Sequence, residues 1–181
     1  MSQKKRLIYY YSYLILTFIS SLGAVFSNNL ILFMVFWGFL GLLLYLLIGF
    51  AQTENASYTA KKAFIIIGGT DALMLLGLAI VWRLTGSLQM DEINITLNTK
   101  VAVLAYMCLA AGAFAKAGAM PFHTWVPDTA EEVHTPVTAF LPASLDKLFV
   151  INFLARLFLN LFHMKPAMKT ILMIIGTVSI F

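Results

Sequence analysis

The chain has almost no cysteine and little charge, and these shortages exclude several classes of protein. Of its 181 residues, one is a cysteine, Cys108, and 11% are charged. A single cysteine rules out an internal disulfide and argues against a metal cluster held by thiolates. Soluble domains carry about 25% charged residues, whereas 61% of this chain is hydrophobic. The composition therefore predicts an integral membrane protein.

Histidine is also scarce, and the excess of basic residues is small. The chain has three histidines and a net charge of +4. The spacing of His123 and His134 fits no metal motif, and no glycine-rich dinucleotide fingerprint is present. The basic residues lie mostly at the ends of apolar segments, where anionic lipid headgroups account for them. We therefore expect no metal, no cofactor and no nucleic acid to be bound.

Apolar segments divide the chain into membrane spans, since about 20 residues cross the hydrocarbon core. They predict an all-α integral membrane fold with about five transmembrane helices and the start of a sixth, in a single transmembrane domain covering 1–181. Polar loops are expected at 51–62, 85–100 and 127–136. The predicted spans are 7–26, 30–50, 63–82, a fourth from about Val101 through Lys116, 137–162, and a partial sixth from about Met168.

Lysine and arginine at the span ends indicate the orientation, because cytoplasmic loops carry an excess of both. The N-terminal basic cluster predicts a multi-pass protein of the inner (cytoplasmic) membrane with a cytoplasmic N-terminus. That side carries Lys4, Lys5, Arg6, Lys61 and Lys62, and the opposite side carries Arg83, Lys100, Lys165 and Lys169.

Three ionisable residues lie inside otherwise apolar spans, at similar predicted depth: Asp71, Lys116 and Lys147. A charge at bilayer depth costs at least ~2.5–3.5 kcal/mol, so it needs a partner, a water-filled cavity or a function. One interpretation is a structural ion pair between Asp71 and a lysine. The other is a water-linked proton path, which we favour because a desolvated lysine gives up its proton more readily than a solvated one.

The fourth span is predicted to break near Gly118 and Pro121, directly after Lys116. Proline has no N–H, and in a helix its ring clashes with the carbonyl four residues earlier. Irregular backbone at membrane depth is tolerated only inside protein or beside a water cavity. An ordinary proline kink is the alternative. His123 follows the break and is either part of a proton path from the cytoplasm or an interfacial hydrogen-bonding residue.

One long segment is more specific. KAGAMPFHTWVPDTAEEVHTPVTAFLPASLDK resembles the antiporter-like subunits of respiratory complex I, of multisubunit cation/proton antiporters and of energy-converting membrane-bound hydrogenases. The phrase PASLDK is most similar to the hydrogenase-type members. Upstream, NNLILFMVFWGFLGLLLYLLIGF and KKAFIIIGGTDALMLLGLAIVW are similar to preceding helices of the same family. The likeness covers nearly the whole chain.

The resemblance implies one repeat of an inverted-repeat transporter fold, with a proton-translocating half-channel. By this resemblance, Lys116 is the lysine at the broken helix and Lys147 is the lysine on the next helix. The family places a glutamate in the phrase FWEL, where this chain has Gly38. Asp71 could substitute for that glutamate, or the subunit could have lost pumping and serve as a scaffold.

The sequence thus predicts an ion-translocating subunit of a complex-I-like or membrane-bound hydrogenase assembly, split or truncated relative to the family. Whether the chain should be counted as part of an enzyme stays open, because it has no redox centre of its own. The expected partners are other integral membrane subunits, one of which completes the antiporter-like fold, and a peripheral redox module with iron–sulfur clusters. The alternatives are a subunit of a Na⁺/H⁺ antiporter and a non-pumping scaffold.

Overall fold

The computed structural model describes residues 3–51, 53–133, 135–140, 146–163 and 166–179, and most of them are helical. The elements in chain order are α1 Gln3–Phe26, α2 Leu30–Gly49, α3 Ala56–Thr85, β1 Ile95–Thr96, α4 Lys100–Ala117, α5 Trp125–Glu132, α6 Thr135–Phe140, α7 Asp146–Arg156, a π-helical turn Leu157–Leu161, β2 Phe162–His163 and α8 Pro166–Val178.

Four helices are long and apolar enough to cross a bilayer: Leu7–Phe26 within α1, then α2, α3 and α4. They correspond to the first four predicted spans. The predicted fifth span, 137–162, contains most of α6, and then α7 with its π-helical turn. Residues 141–145 between α6 and α7 lie outside the described residues. The partial sixth span is α8, which is apolar and shorter. The structure therefore confirms a helical membrane fold, with only two strands of two residues each among the described residues.

A short turn joins α1 to α2, and its last residue, Asn29, caps α2. The side-chain oxygen of Asn29 accepts hydrogen bonds from the N–H groups of Ile31 at 2.9 Å and Leu32 at 3.3 Å. These are two of the four N–H groups that a helix leaves without a partner at its start. The turn is also tied to the loop after α3, since Leu30 N–H donates to Leu88 O at 2.9 Å.

The helix α3 begins seven residues before the predicted start of the third span, so part of the predicted loop 51–62 is helical. Lysine at a membrane boundary can keep its charged end in water while its stem lies along the helix. Lys62 is partly exposed and forms a 2.6 Å salt bridge with Asp128.

The prediction of a loop over 127–136 was wrong at both ends. Its first six residues continue the short helix α5, and its last two begin α6. Pro127 is tolerated there because it lies in the first turn, where its missing N–H leaves no helical bond unmade. The hydroxyl of Thr129 donates to Trp125 O at 2.7 Å. His134 lies outside the described residues.

The helices pack as a bundle in which α2 contacts α1 and α3, α4 contacts α3 and α7, and α7 returns to α1. The approach of α3 to α4 is close at Gly77, where an added Cβ would lie 3.0 Å from the carbonyl oxygen of Ala105. A short parallel pairing of Ile95 with Phe162 and Thr96 with His163 closes the end of the bundle that carries the α1–α2 turn.

Candidate functional site

Lys116 lies in the last turn of α4 and is almost completely buried, with 1% of its side chain exposed. Its Nζ donates a hydrogen bond to the carbonyl oxygen of Trp37 at 2.7 Å. The same Nζ lies 4.4 Å from the centroid of the Trp37 ring and 5.9 Å from that of Phe149. A cation within about 6 Å of an aromatic face is attracted by the ring quadrupole, so these contacts favour the charged lysine.

Asp71 on α3 reaches the same place through Trp37. The Nε1–H group of Trp37 donates to Asp71 Oδ1 at 2.7 Å. The other carboxylate oxygen lies 3.9 Å from the position that a Cβ would take at Gly41. Asp71 and Lys116 are therefore bridged by a single indole.

The indole is held in place by an aromatic cluster between α2 and α7. The centroid of the Trp37 ring lies 4.9 Å from that of Phe149, 5.5 Å from that of Phe153 and 5.5 Å from that of Phe33. Phe33 also stacks on Phe153, with centroids 4.4 Å apart. Because all four rings are buried, the position of the indole over Lys116 is fixed by packing on several sides.

The helix break follows Lys116 directly, as predicted. Gly118 has a left-handed backbone (φ +70°) and ends α4, and the N–H of Ala119 returns to the carbonyl of Phe114 at 2.8 Å. An added Cβ at Gly118 would clash with Cγ2 of Val126. The Met120–Pro121 peptide bond is cis. This backbone geometry turns the chain away from the helix axis one residue after Ala117.

The segment after the break folds back under α4. The Nε1–H group of the buried Trp125 donates to the carbonyl oxygen of Ala115 at 2.9 Å. His123 is half-buried in this segment. Its Nδ1 is buried and has no hydrogen-bond partner among the residues that the structure describes, and the same holds for the hydroxyl groups of Tyr106 and Thr138. Buried polar atoms of this kind are usually satisfied by ordered water.

Lys147 does not join the buried group. Its side chain is exposed, as are those of Leu148 and Ile151 on the same helix. Phe149 is buried two residues later, and residues two apart on a helix point about 200° away from each other. Lys147 is therefore directed to the outer surface of this chain.

Arg156 is bound at the opposite end of α7. Its Nη1 donates to the carbonyl oxygen of Ser27 at 2.6 Å, and its Nη2 donates to that of Val25. Nη1 also contacts Met90 Sδ at 3.3 Å. This guanidinium joins α7 to the end of α1, to the α1–α2 turn and to the loop after α3. Its role is structural.

The structure adds Trp37 to the residues that sequence reasoning singled out. A tryptophan inside an apolar helix carries one signal that could have identified it, since a buried indole N–H needs an acceptor. Gly38, at the position where the family has glutamate, is exposed, and a Cβ there would meet nothing within 4 Å. Among the described residues, no group of three or more His, Cys, Asp or Glu side chains could hold a metal ion.

The fold and the site together define a polytopic membrane protein in which a buried lysine stands at a broken helix. Residues 27–181 match the sequence profile described as NADH:quinone oxidoreductase/Mrp antiporter, TM. The chain belongs to this family.

Similar proteins agree with that assignment. The chain is 34% identical over 191 residues to "NAD(P)H-quinone oxidoreductase subunit 5, chloroplastic" of Lolium perenne, and 36% identical over 194 residues to the protein of that name from Glycine max. The two alignments cover 100% and 99% of this chain, and 26% and 25% of the relatives. The chain therefore spans about a quarter of the length of these curated relatives.

Two solved structures share the fold. A chain of respiratory complex I from Thermus thermophilus with bound aureothin matches with a TM-score of 0.74 and 27% identity, over 81% of this chain and 33% of that one. A chain of the Mrp complex from Dietzia sp. DQ12-45-1b matches with a TM-score of 0.72 and 18% identity, over 78% and 27%. The greater similarity of the PASLDK phrase to hydrogenase-type members of the family stays a prediction.

Proposed function

We propose that this chain is a proton-translocating membrane subunit of a complex-I-like or hydrogenase-type assembly, and that Lys116 carries the proton. The observation that supports this most strongly is the burial of Lys116 beside a helix break, in contact with an indole that also binds Asp71. A charged group at this depth is costly, and here it is joined to a second ionisable group by defined contacts. That arrangement suits a site whose charge changes during transport.

The break provides the inlet of the proposed path. His123 lies in the segment that follows α4, and its buried Nδ1 lacks a hydrogen-bond partner among the described residues. Water bound there would link His123 towards Lys116 from the side on which α4 ends. We place the N-terminus on the cytoplasmic side of the inner membrane, so that α4 also ends on the cytoplasmic side. Gly118 and Pro121 serve the path by ending the helix next to Lys116.

Lys147 takes the proton onward to a neighbouring subunit in this proposal. It is exposed beside Leu148 and Ile151, which are 71% and 62% exposed. A cation on a lipid-facing surface would be costly, so we propose that a further membrane subunit covers this face and completes the antiporter-like fold. The chain then acts as one transmembrane domain, and a peripheral redox module with iron–sulfur clusters supplies the driving reaction.

Two alternatives are less well supported. Sodium transport needs oxygen ligands at mid-depth, but Asp71 Oδ1 already accepts from Trp37 and the Thr70 hydroxyl donates to Ile67 O at 2.8 Å. A non-pumping scaffold would account for Gly38 in the glutamate position. In a scaffold the contacts that join Asp71 to Lys116 would be purely structural, and proton uptake would not depend on Lys116.

The test is redox-driven proton uptake by the whole assembly in proteoliposomes, followed with a pH-sensitive dye. Lys116→Ala should leave assembly and electron transfer in place and lower proton uptake at least roughly tenfold, since positioned proton-transfer groups contribute about 10²–10⁴-fold. Lys169→Ala, which changes an exposed lysine on α8, is the control. Undiminished proton uptake by Lys116→Ala would refute the proposal. Proton uptake that occurs in a Na⁺ buffer and is lost when choline replaces Na⁺ would favour the antiporter alternative.

A further inference from the structure

We propose that Trp37 is a positioning residue that couples the charge of Asp71 to that of Lys116, an inference that rests on the proton-translocating function proposed above. Trp37 meets both groups through different parts of one residue. Its N–H donates to Asp71 Oδ1, its ring face lies 4.4 Å from Lys116 Nζ, and its carbonyl accepts from that Nζ.

The coupling follows from the electron distribution of the indole. An N–H group that donates to a carboxylate is in a charge-assisted hydrogen bond, which is stronger than one to a neutral acceptor. Such a bond pushes electron density into the ring, and a more negative ring face attracts a cation more strongly. While Asp71 is ionised, the indole holds the ammonium of Lys116. When Asp71 gains a proton, that hold weakens.

The exchange is balanced in charge. Asp71 gains one proton and Lys116 Nζ loses one to water in the path, so the net charge of the pair is zero before and after. This keeps the cost of each state low in a poorly polarisable environment. The indole thereby takes over the link between carboxylate and lysine that Gly38 cannot provide.

Other charged side chains described on the helices around Lys116 are engaged or directed elsewhere. On α3, Lys62 pairs with Asp128, and Lys61 and Arg83 are exposed. On α4, Lys100 is exposed. On α7, Arg156 binds carbonyl groups at the end of α1. Lys147 is exposed, and α2 has no charged residue.

The test replaces the Trp37 indole by the benzothienyl ring of 3-benzothienylalanine, introduced by nonsense suppression into the assembled complex. This ring keeps the bicyclic shape and the aromatic face but has sulfur in place of the N–H group. We expect the pH of half-maximal proton uptake to move about 0.5 to 1 unit towards acid, because Lys116 then loses its proton more readily. Trp37→Phe, which also lacks the donor, should shift the profile in the same direction.

The same replacement at Trp82, which is 58% exposed on α3, is the matched control and should leave the profile unchanged. Asp71→Asn should shift the profile by itself, and the benzothienyl ring at position 37 should add no further shift in that background. A wild-type profile with either replacement at Trp37, or fully additive shifts with Asp71→Asn, would overturn the inference. The proposed function fails separately, if Lys116→Ala pumps normally.

Discussion

Arg156→Met should destabilise the protein, because it removes the cation that joins α7 to the end of α1. The guanidinium donates to the carbonyl oxygens of Val25 and Ser27. Hydrogen bonds measured within membrane proteins contribute about 0.6 kcal/mol on average and at most about 1.7. Two such bonds give an expected loss of about 1–3 kcal/mol in the free energy of unfolding. A positive charge near the last carbonyls of α1 also favours that helix end.

The assay is equilibrium unfolding of the purified protein in mixed micelles with increasing SDS, followed by far-UV circular dichroism. Arg83→Met is the matched control, since Arg83 is exposed near the end of α3 and its loss should change stability by less than about 0.5 kcal/mol. Arg156→Lys keeps the charge but not the two-pronged geometry, so it should fall between. Equal stabilities of Arg156→Met and Arg83→Met would refute the assigned role.

Two further predictions concern the region of the break. Gly118→Ala should lower the free energy of unfolding, measured in the same SDS titration, by about 1–3 kcal/mol, because the left-handed backbone disfavours a Cβ and that Cβ would clash with Val126. A free energy of unfolding equal to that of the wild type would contradict this prediction. Lys62→Met should lower the free energy of unfolding by less than about 1 kcal/mol, mainly at low salt, because its partly exposed salt bridge with Asp128 is screened by ions. A larger loss that is equal at low and high salt in a denaturation series would contradict this prediction.

The sequence allowed the spans and the break to be predicted, because both follow from local chemistry. Apolar length determines where helices cross the bilayer, and Gly118 with Pro121 marks where α4 cannot continue. Counting from the span ends also predicted a similar depth for Asp71 and Lys116, and in the structure both side chains contact Trp37. These properties depend on each segment and its length, and they require no knowledge of how the helices pack.

The missed features depend on contacts between distant parts of the chain. The bridge through Trp37 requires the rotation of α2 relative to α3 and α4, which the nearly uniform apolarity of α2 does not reveal. The outward direction of Lys147 follows from the burial of Phe149, and that burial comes from packing on α2. The helix α5 lies in a polar segment and is held by two contacts: the Thr129 hydroxyl donates to Trp125 O, and Asp128 forms a salt bridge with Lys62 on α3.

The most direct test of the central claim is proton uptake by the assembled complex carrying Lys116→Arg. Arginine keeps the positive charge beside Trp37 and Asp71 but does not release its proton in proteins. A structural ion pair would survive this change, whereas a proton carrier would not. We expect the variant to assemble and to transfer electrons while proton uptake falls at least roughly tenfold. Wild-type proton uptake by the assembled Lys116→Arg variant would contradict the claim that Lys116 carries the proton.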